Sequence, residues 1–178
     1  MGLFSRSRDS AGPADDESVP DDSDLLPLVP TSRPLRPQDR ELLERGRGQL
    51  AATGVDLDDL AAIGAAHDAD LAAWAALPER RRDDHAAHVD LWGVAVGEYL
   101  ARHTDLRWTT VADPFGTDLG LMAAGEPGES GEPGEPGTPA VRDDFAVIPT
   151  NLVSGRWLNG ETGWIPGVVG HLVRLRTR

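Results

Sequence analysis

The chain contains no cysteine. That one absence removes disulfide frameworks, thiolate metal sites and cysteine nucleophiles, and it fits a reducing compartment. Lysine is missing too, all 17 basic residues being arginine, which reads as coding bias rather than chemistry. No segment approaches the ~18 consecutive apolar residues of a membrane-spanning helix. The opening Met1-Gly2-Leu3-Phe4-Ser5-Arg6-Ser7-Arg8 turns polar at once, without the apolar run of about 7–15 residues that a secretory signal needs. Arg6 also stands where a myristoylation pattern wants Ser or Thr. The expectation is a soluble, cytoplasmic protein. Phosphate loops, dinucleotide fingerprints, nucleophile elbows and His-Glu-x-x-His zinc patterns are all absent.

Positive charge is scarce: the formal net charge is -13. Residues 1–33 carry seven acids and three arginines, and residues 125–135 carry four glutamates and no base. Much of the excess thus sits in segments of low hydrophobicity. A chain so acidic repels phosphate backbones and anionic membranes, so neither nucleic acid nor membrane is expected as a partner.

Composition divides the chain into an acidic, disordered tail over 1–33 and a single α+β domain over 34–178. The tail has too few apolar groups to offset its ordering entropy. Its apolar patch, Leu25-Leu26-Pro27-Leu28-Val29-Pro30, could dock on the domain or on a partner. Pro37-Gln38-Asp39 opens a first helix that runs to about Thr53 and stops at Gly54. Asp56 is placed to cap a second, with Leu57, Leu60, Ile63, His67, Leu71 and Trp74 at helical spacing and Pro78 as its end. A third runs from about Asp84 to Thr104. Its stripe of Val89, Trp92, Val96, Tyr99 and Leu100, with Leu91 and Val94 on the far side, predicts a central helix packed from two directions.

Period two then takes over. Leu106, Trp108 and Thr110 mark one strand and Leu119, Leu121 and Ala123 a second, joined through the turn Asp113-Pro114-Phe115-Gly116. A third strand is expected near Arg142–Ile148, then short helices near Asn151–Leu158 and Pro166–Arg176. Between the second and third strands, Gly125 to Pro139 forms five Gly-X-Y triplets. Collagen needs three chains and many more triplets, so this stretch reads as a disordered hairpin loop over about 124–140. The predicted class is α+β: N-terminal helices on a small three-stranded antiparallel sheet, closed by short C-terminal helices.

Few side chains suggest chemistry. His85 and His88, three apart on the third helix, could share a metal, but no third ligand has supporting spacing. They remain weak metal candidates, and no cofactor is expected. His67, on an apolar stripe, reads as a core histidine. Glu98 falls opposite the main stripe with Arg102 as its i+4 partner, a surface ion pair. Asp113 and Asp118 flank the hairpin turn. The densest polar and aromatic stretch is Ile148 to Trp164, where Thr150 or Asn151 could cap a helix, Glu161 could pair with Arg156, and Trp157 and Arg156 are the types that interface hot spots favour.

Three pieces carry a resemblance: Leu91-Trp92-Gly93-Val94-Ala95-Val96-Gly97-Glu98-Tyr99-Leu100; Leu106-Arg107-Trp108-Thr109-Thr110-Val111-Ala112-Asp113 with Phe115-Gly116-Thr117-Asp118; and Ile148 through Trp157 with Gly160-Glu161. On these, about Val89 to Leu172 resembles the bacterial family known as domain of unknown function 3806. The Gly-X-Y insert departs from it, lengthening a hairpin the family pattern keeps short. The resemblance implies this order of elements and supplies no mechanism, since the family has no assigned activity. It directs attention to Glu98, Asp118, Asn151, Arg156 and Glu161.

With no catalytic pattern, the leading expectation is a non-enzymatic protein-interaction or regulatory domain meeting a protein partner through residues 148–164. A small-molecule or ion-binding domain with Glu98, Arg156 and Glu161 lining a pocket is the alternative. A hydrolase using carboxylates or a His-bound metal is the third.

Overall fold

The computed structural model describes residues 29–123 and 145–177. The tail over 1–28, the Gly-X-Y loop and Arg142–Asp144 of the expected third strand lie outside the described residues. Between these limits the chain runs β1 (Thr31–Arg33), α1 (Pro37–Thr53), α2 (Leu60–Ala76), a single 3₁₀ turn (Glu79–Arg81), α3 (His85–His103), β2 (Leu106–Asp113), β3 (Gly116–Ala123), β4 (Ala146–Val147), α4 (Pro149–Leu158) and α5 (Trp164–Arg176). The class is α+β, with an antiparallel sheet.

Local chemistry accounts for most boundaries. Pro37 sits in the first turn of α1, where its missing N–H costs nothing, and Gly54 ends the helix with φ 72°. Asp84 caps α3 by accepting the Ala86 N–H at 3.0 Å. The second helix starts later than its expected cap. Asp59, not Asp56, accepts the Ala61 and Ala62 N–H groups, while Asp56 Oδ1 accepts the Asp58 N–H in a turn just before it. At α4 the capping expected of Thr150 or Asn151 is not made. Ile148 is the cap residue without a side-chain bond, and Pro149 opens the helix.

The sheet has four strands in the order β1-β2-β3-β4, all pairs antiparallel, which corrects the expected three. The added strand is Thr31–Arg33, which composition assigns to the tail. It pairs Thr31 with Ala112 and Arg33 with Thr110. Threonine hydroxyls pin it: Thr109 Oγ1 donates to the Arg33 carbonyl at 2.7 Å and Thr110 Oγ1 lies 3.1 Å from that of Pro34. At the other edge, β4 pairs Leu121 with Val147.

Helix α3 is the axis of the molecule, in contact with α1, α2, α4, α5, β2 and β3. Residues Trp92 to Glu98 are all buried, as a helix covered on every side requires. Such coverage needs small residues at the closest approaches. A Cβ on Gly93 would meet Thr150 Cγ2 at 2.8 Å, and one on Gly97 would meet Trp108 Cη2 at 2.1 Å. The N-terminus of α4 and the indole of β2 lie on α3 through those two gaps. Helix α1 is tied to the sheet by Asp39, whose carboxylate takes two guanidinium bonds from Arg36 at 2.8 Å and the Thr110 hydroxyl at 2.7 Å. The Arg36 bonds hold the Asp39 carboxyl below its ordinary range.

Candidate functional site

The expected site residues separate into three neighbourhoods. The first is an aromatic cluster. Trp157, 1% exposed, stacks on His88 at 4.9 Å between ring centroids and meets His67 edge-on at 5.6 Å. His67 is fully buried, as expected, and also packs edge-on against Trp92 and Trp164. Arg156 lies over the Trp164 ring at 4.6 Å, donates to the Leu152 carbonyl at 2.9 Å, and reaches Glu161 at 3.8 Å. The expected Arg156–Glu161 pair is present, but both tryptophans are buried. The corner at 148–164 closes a core, and Trp157 presents no surface to a partner.

His88 is the one ionisable group here with a clear bias. Its Nδ1 lies 2.8 Å from Asp70 Oδ2, which also accepts the Trp92 indole N–H at 2.7 Å, and its Nε2 lies 3.3 Å from Asp83 Oδ1. Burial pushes the imidazole down, yet Asp70 and then Asp83 outweigh it and hold the group above its ordinary 6.5. A raised histidine stabilises the fold fully below the unfolded-state value and loses that contribution as the pH rises through the folded-state one. Denaturant midpoints should therefore fall as pH climbs from about 6 towards 8, and His88→Gln should flatten that slope. An unchanged slope in the variant would contradict the assignment. His85 pairs instead with its own cap, Asp84, at 3.5 Å. Among the described residues no three His, Asp or Glu side chains group as they would around a metal.

The second neighbourhood corrects the reading of Glu98. It is 8% exposed, and its Oε1 accepts Arg47 Nε at 3.0 Å, Arg47 Nη2 at 2.7 Å and Trp108 Nε1 at 2.9 Å. Arg102, its expected partner, stands at 3.9 Å. The physical reason is that α3 has no solvent side along this stretch, so a residue opposite the main stripe faces α1 and the sheet. Glu98 therefore belongs to a network separate from the Arg156–Glu161 pair, and the three do not converge on one pocket.

The third is the hairpin. Strands β2 and β3 stay in register from Leu106↔Ala123 to Asp113↔Gly116, leaving only Pro114 and Phe115 in the loop. Asp113 Oδ1 accepts the Phe115 and Gly116 N–H groups at 2.8 and 3.0 Å, locking the turn. Phe115 at its tip is 96% exposed. Sequence reading assigned this residue only to the turn, although a two-residue loop leaves its side chain nothing to pack against. Asp118, further along β3, lines a cleft of about 350 Å³ with Arg36, Glu41, Arg45 and Asp90. Asn151 borders a different, apolar groove of about 300 Å³ with Phe145, Ile148 and Leu172. Asp90 and Arg45 carry no motif that marks them in the sequence.

These features define an α+β domain built round one buried helix, with an apolar hairpin tip and a polar cleft at its surface. A family model described as Domain of unknown function (DUF3806) matches residues 70–129. The chain is similar to that family from the second turn-pair of α2, through α3 and the β2–β3 hairpin, so the match starts earlier than the resemblance drawn above. Ile148 to Trp157, the third piece of that resemblance, falls beyond the matched residues. No curated protein and no solved structure matches the chain. No helix among the described residues is long and apolar enough to cross a membrane.

Proposed function

We propose that the chain is a cytoplasmic protein-interaction domain without a reaction of its own, and that Phe115 is its anchor. The observation that carries this reading is a 96% exposed phenylalanine on a two-residue turn locked by Asp113. The backbone of the turn is already fixed, so binding has little to order beyond the rotamers of the ring itself, and burying the ring contributes about 1.5–3 kcal/mol. This moves the contact from residues 148–164, whose aromatic groups are buried, to the hairpin. The partner would offer an apolar pocket for the ring. The cysteine-free composition supports the cytoplasmic assignment.

Because the ring touches so little, Phe115→Ser should leave folding stability within about 0.5 kcal/mol of the parent. A photoreactive phenylalanine analogue at position 115 of the full chain, irradiated in cells that make it, should give one discrete protein adduct. The same analogue at Leu77, exposed on another part of the surface, should not. No adduct at 115, or the same adduct from both positions, would end the reading. A large loss of stability in Phe115→Ser would assign the ring to the fold instead.

A further inference from the structure

The face of the sheet away from the helices is buried at its centre. Helices α1, α2, α4 and α5 all pack on α3, which meets the sheet through Trp108, so the described helices form one layer on one side. Side chains alternate across a strand. With Trp108, Thr110, Leu119 and Leu121 towards the helices, Thr109, Val111, Gly120 and Met122 face the other way. Such a face of an antiparallel sheet is commonly polar and wet. Here Val111 is 1% and Met122 7% exposed, and neither belongs to the core beneath the helices.

Their neighbours on that face are too short or too exposed to bury them so deeply. Ser32, the β1 partner of Val111, is exposed, and so is Asp118, its β3 partner. Gly120 carries no side chain, and Val111 Cγ2 and Ile148 Cδ1 lie 2.6 and 2.7 Å from where its Cβ would stand. The result is an apolar floor that calls for an apolar cover. The chain holds one close by. Leu25-Leu26-Pro27-Leu28 stands just ahead of β1, and the backbone bends at Val29, out of line with that strand. Leu28 is four positions before Ser32, so at most about 14 Å of chain separates it from the partner of Val111. Met122, on β3, is two strand spacings from β1, about 10 Å. Residues 124–144 offer only Ala124, Ala140, Val141 and prolines as apolar groups. A tether this short sets an effective concentration on the order of millimolar, an advantage that a second copy in dilute solution lacks.

We propose that the outer face of the sheet is a docking surface for residues 25–28 of the same chain, whose leucines close over Val111, Met122 and Ile148. Pro27 restricts the undocked segment and so lowers the entropy lost on docking. The acidic tail is thereby held to the domain by an apolar clasp as well as by β1. The inference rests on no part of the Phe115 reading.

Met122 reports the cover, because peroxide oxidises a thioether to the extent that solvent reaches it. In the full chain at micromolar concentration, Met122 should oxidise at least about tenfold more slowly than free methionine in the same solution, read by mass spectrometry. The triple variant L25S/L26S/L28S should raise that rate about tenfold or more while the far-ultraviolet spectrum keeps its helical form. A Met122 as reactive as free methionine in the parent chain overturns the proposal, and so does a rate that the three substitutions leave unchanged. Protection that fades on dilution would assign the cover to a second copy and overturns it equally. Should the triple variant not fold, a nitroxide on Ser23→Cys, the sole cysteine, leaves all three leucines in place. Methyl resonances of Val111 and Ile148 should then broaden, and those of Val169, buried in α5, should not. Broadening at neither of the first two, or confined to Phe115, refutes the docking.

Discussion

Trp157→Ala should cost the fold about 3–5 kcal/mol, read as a lower denaturant midpoint with an unchanged slope. The figure follows from what the indole touches. It is the meeting point of three helices: His88 of α3 stacks on it, and His67 and Trp74 of α2 close on it at 5.6 and 5.9 Å. Removing the ring leaves a void lined by rigid aromatic groups that cannot collapse into it, and it takes the stacking face from His88. Against a total stability of about 5–15 kcal/mol for a domain of this kind, the loss is a large fraction. Trp157→Phe keeps a face for His88 and should lose distinctly less. If Trp157→Ala moves the midpoint by under about 1 kcal/mol, the cluster is not the core that its burial implies, and residues 148–164 regain their standing as a partner surface.

The second large effect is expected at Gly97. A methyl group there meets the Trp108 ring at 2.1 and 2.2 Å and Pro149 Cγ at 3.2 Å. The indole cannot swing aside freely, because its Nε1 donates to Glu98 at 2.9 Å. Gly97→Ala must therefore push β2 away from α3 or break the Glu98 bond, an overpacking cost of about 1–3 kcal/mol. The opposing helix-propensity gain of alanine over glycine is only about 1 kcal/mol. Gly48, whose added Cβ meets nothing within 4 Å, is the control. Gly48→Ala should show the propensity gain alone. Thermal melts of the two variants moving in opposite directions would establish the close approach, and parallel shifts would refute it.

What was legible beforehand follows from the range of each interaction. Caps, turn residues and apolar spacing act within a few positions, so α1, α3 and the β2–β3 hairpin could be read directly. Strand β1 could not, because Thr-Ser-Arg has no period of its own and exists only through partners near residue 111. Glu98 was misplaced for a related reason. Its spacing puts it opposite the main stripe correctly, but only the packing of α1 and the sheet shows that the opposite side is also interior. The spacing of Gly93 and Gly97, one helical turn apart, is the signal that could have revealed it. The cleft was beyond reach, since Arg45, Asp90 and Asp118 come from three elements and share no motif.

The pairing of β1 differs from that of the hairpin in the length of chain it closes. Its hydroxyl contact from Thr31 to Ala112 joins residues 81 apart, whereas β2 and β3 are joined by a two-residue turn. Pairing β1 therefore carries a larger loop-closure cost than closing the hairpin. The outer backbone edge of β2 is thus covered by a strand that the chain can supply only after returning across 70 residues or more, and Thr110, bonded to Pro34, Arg36 and Asp39, is what holds that cover to the first helix.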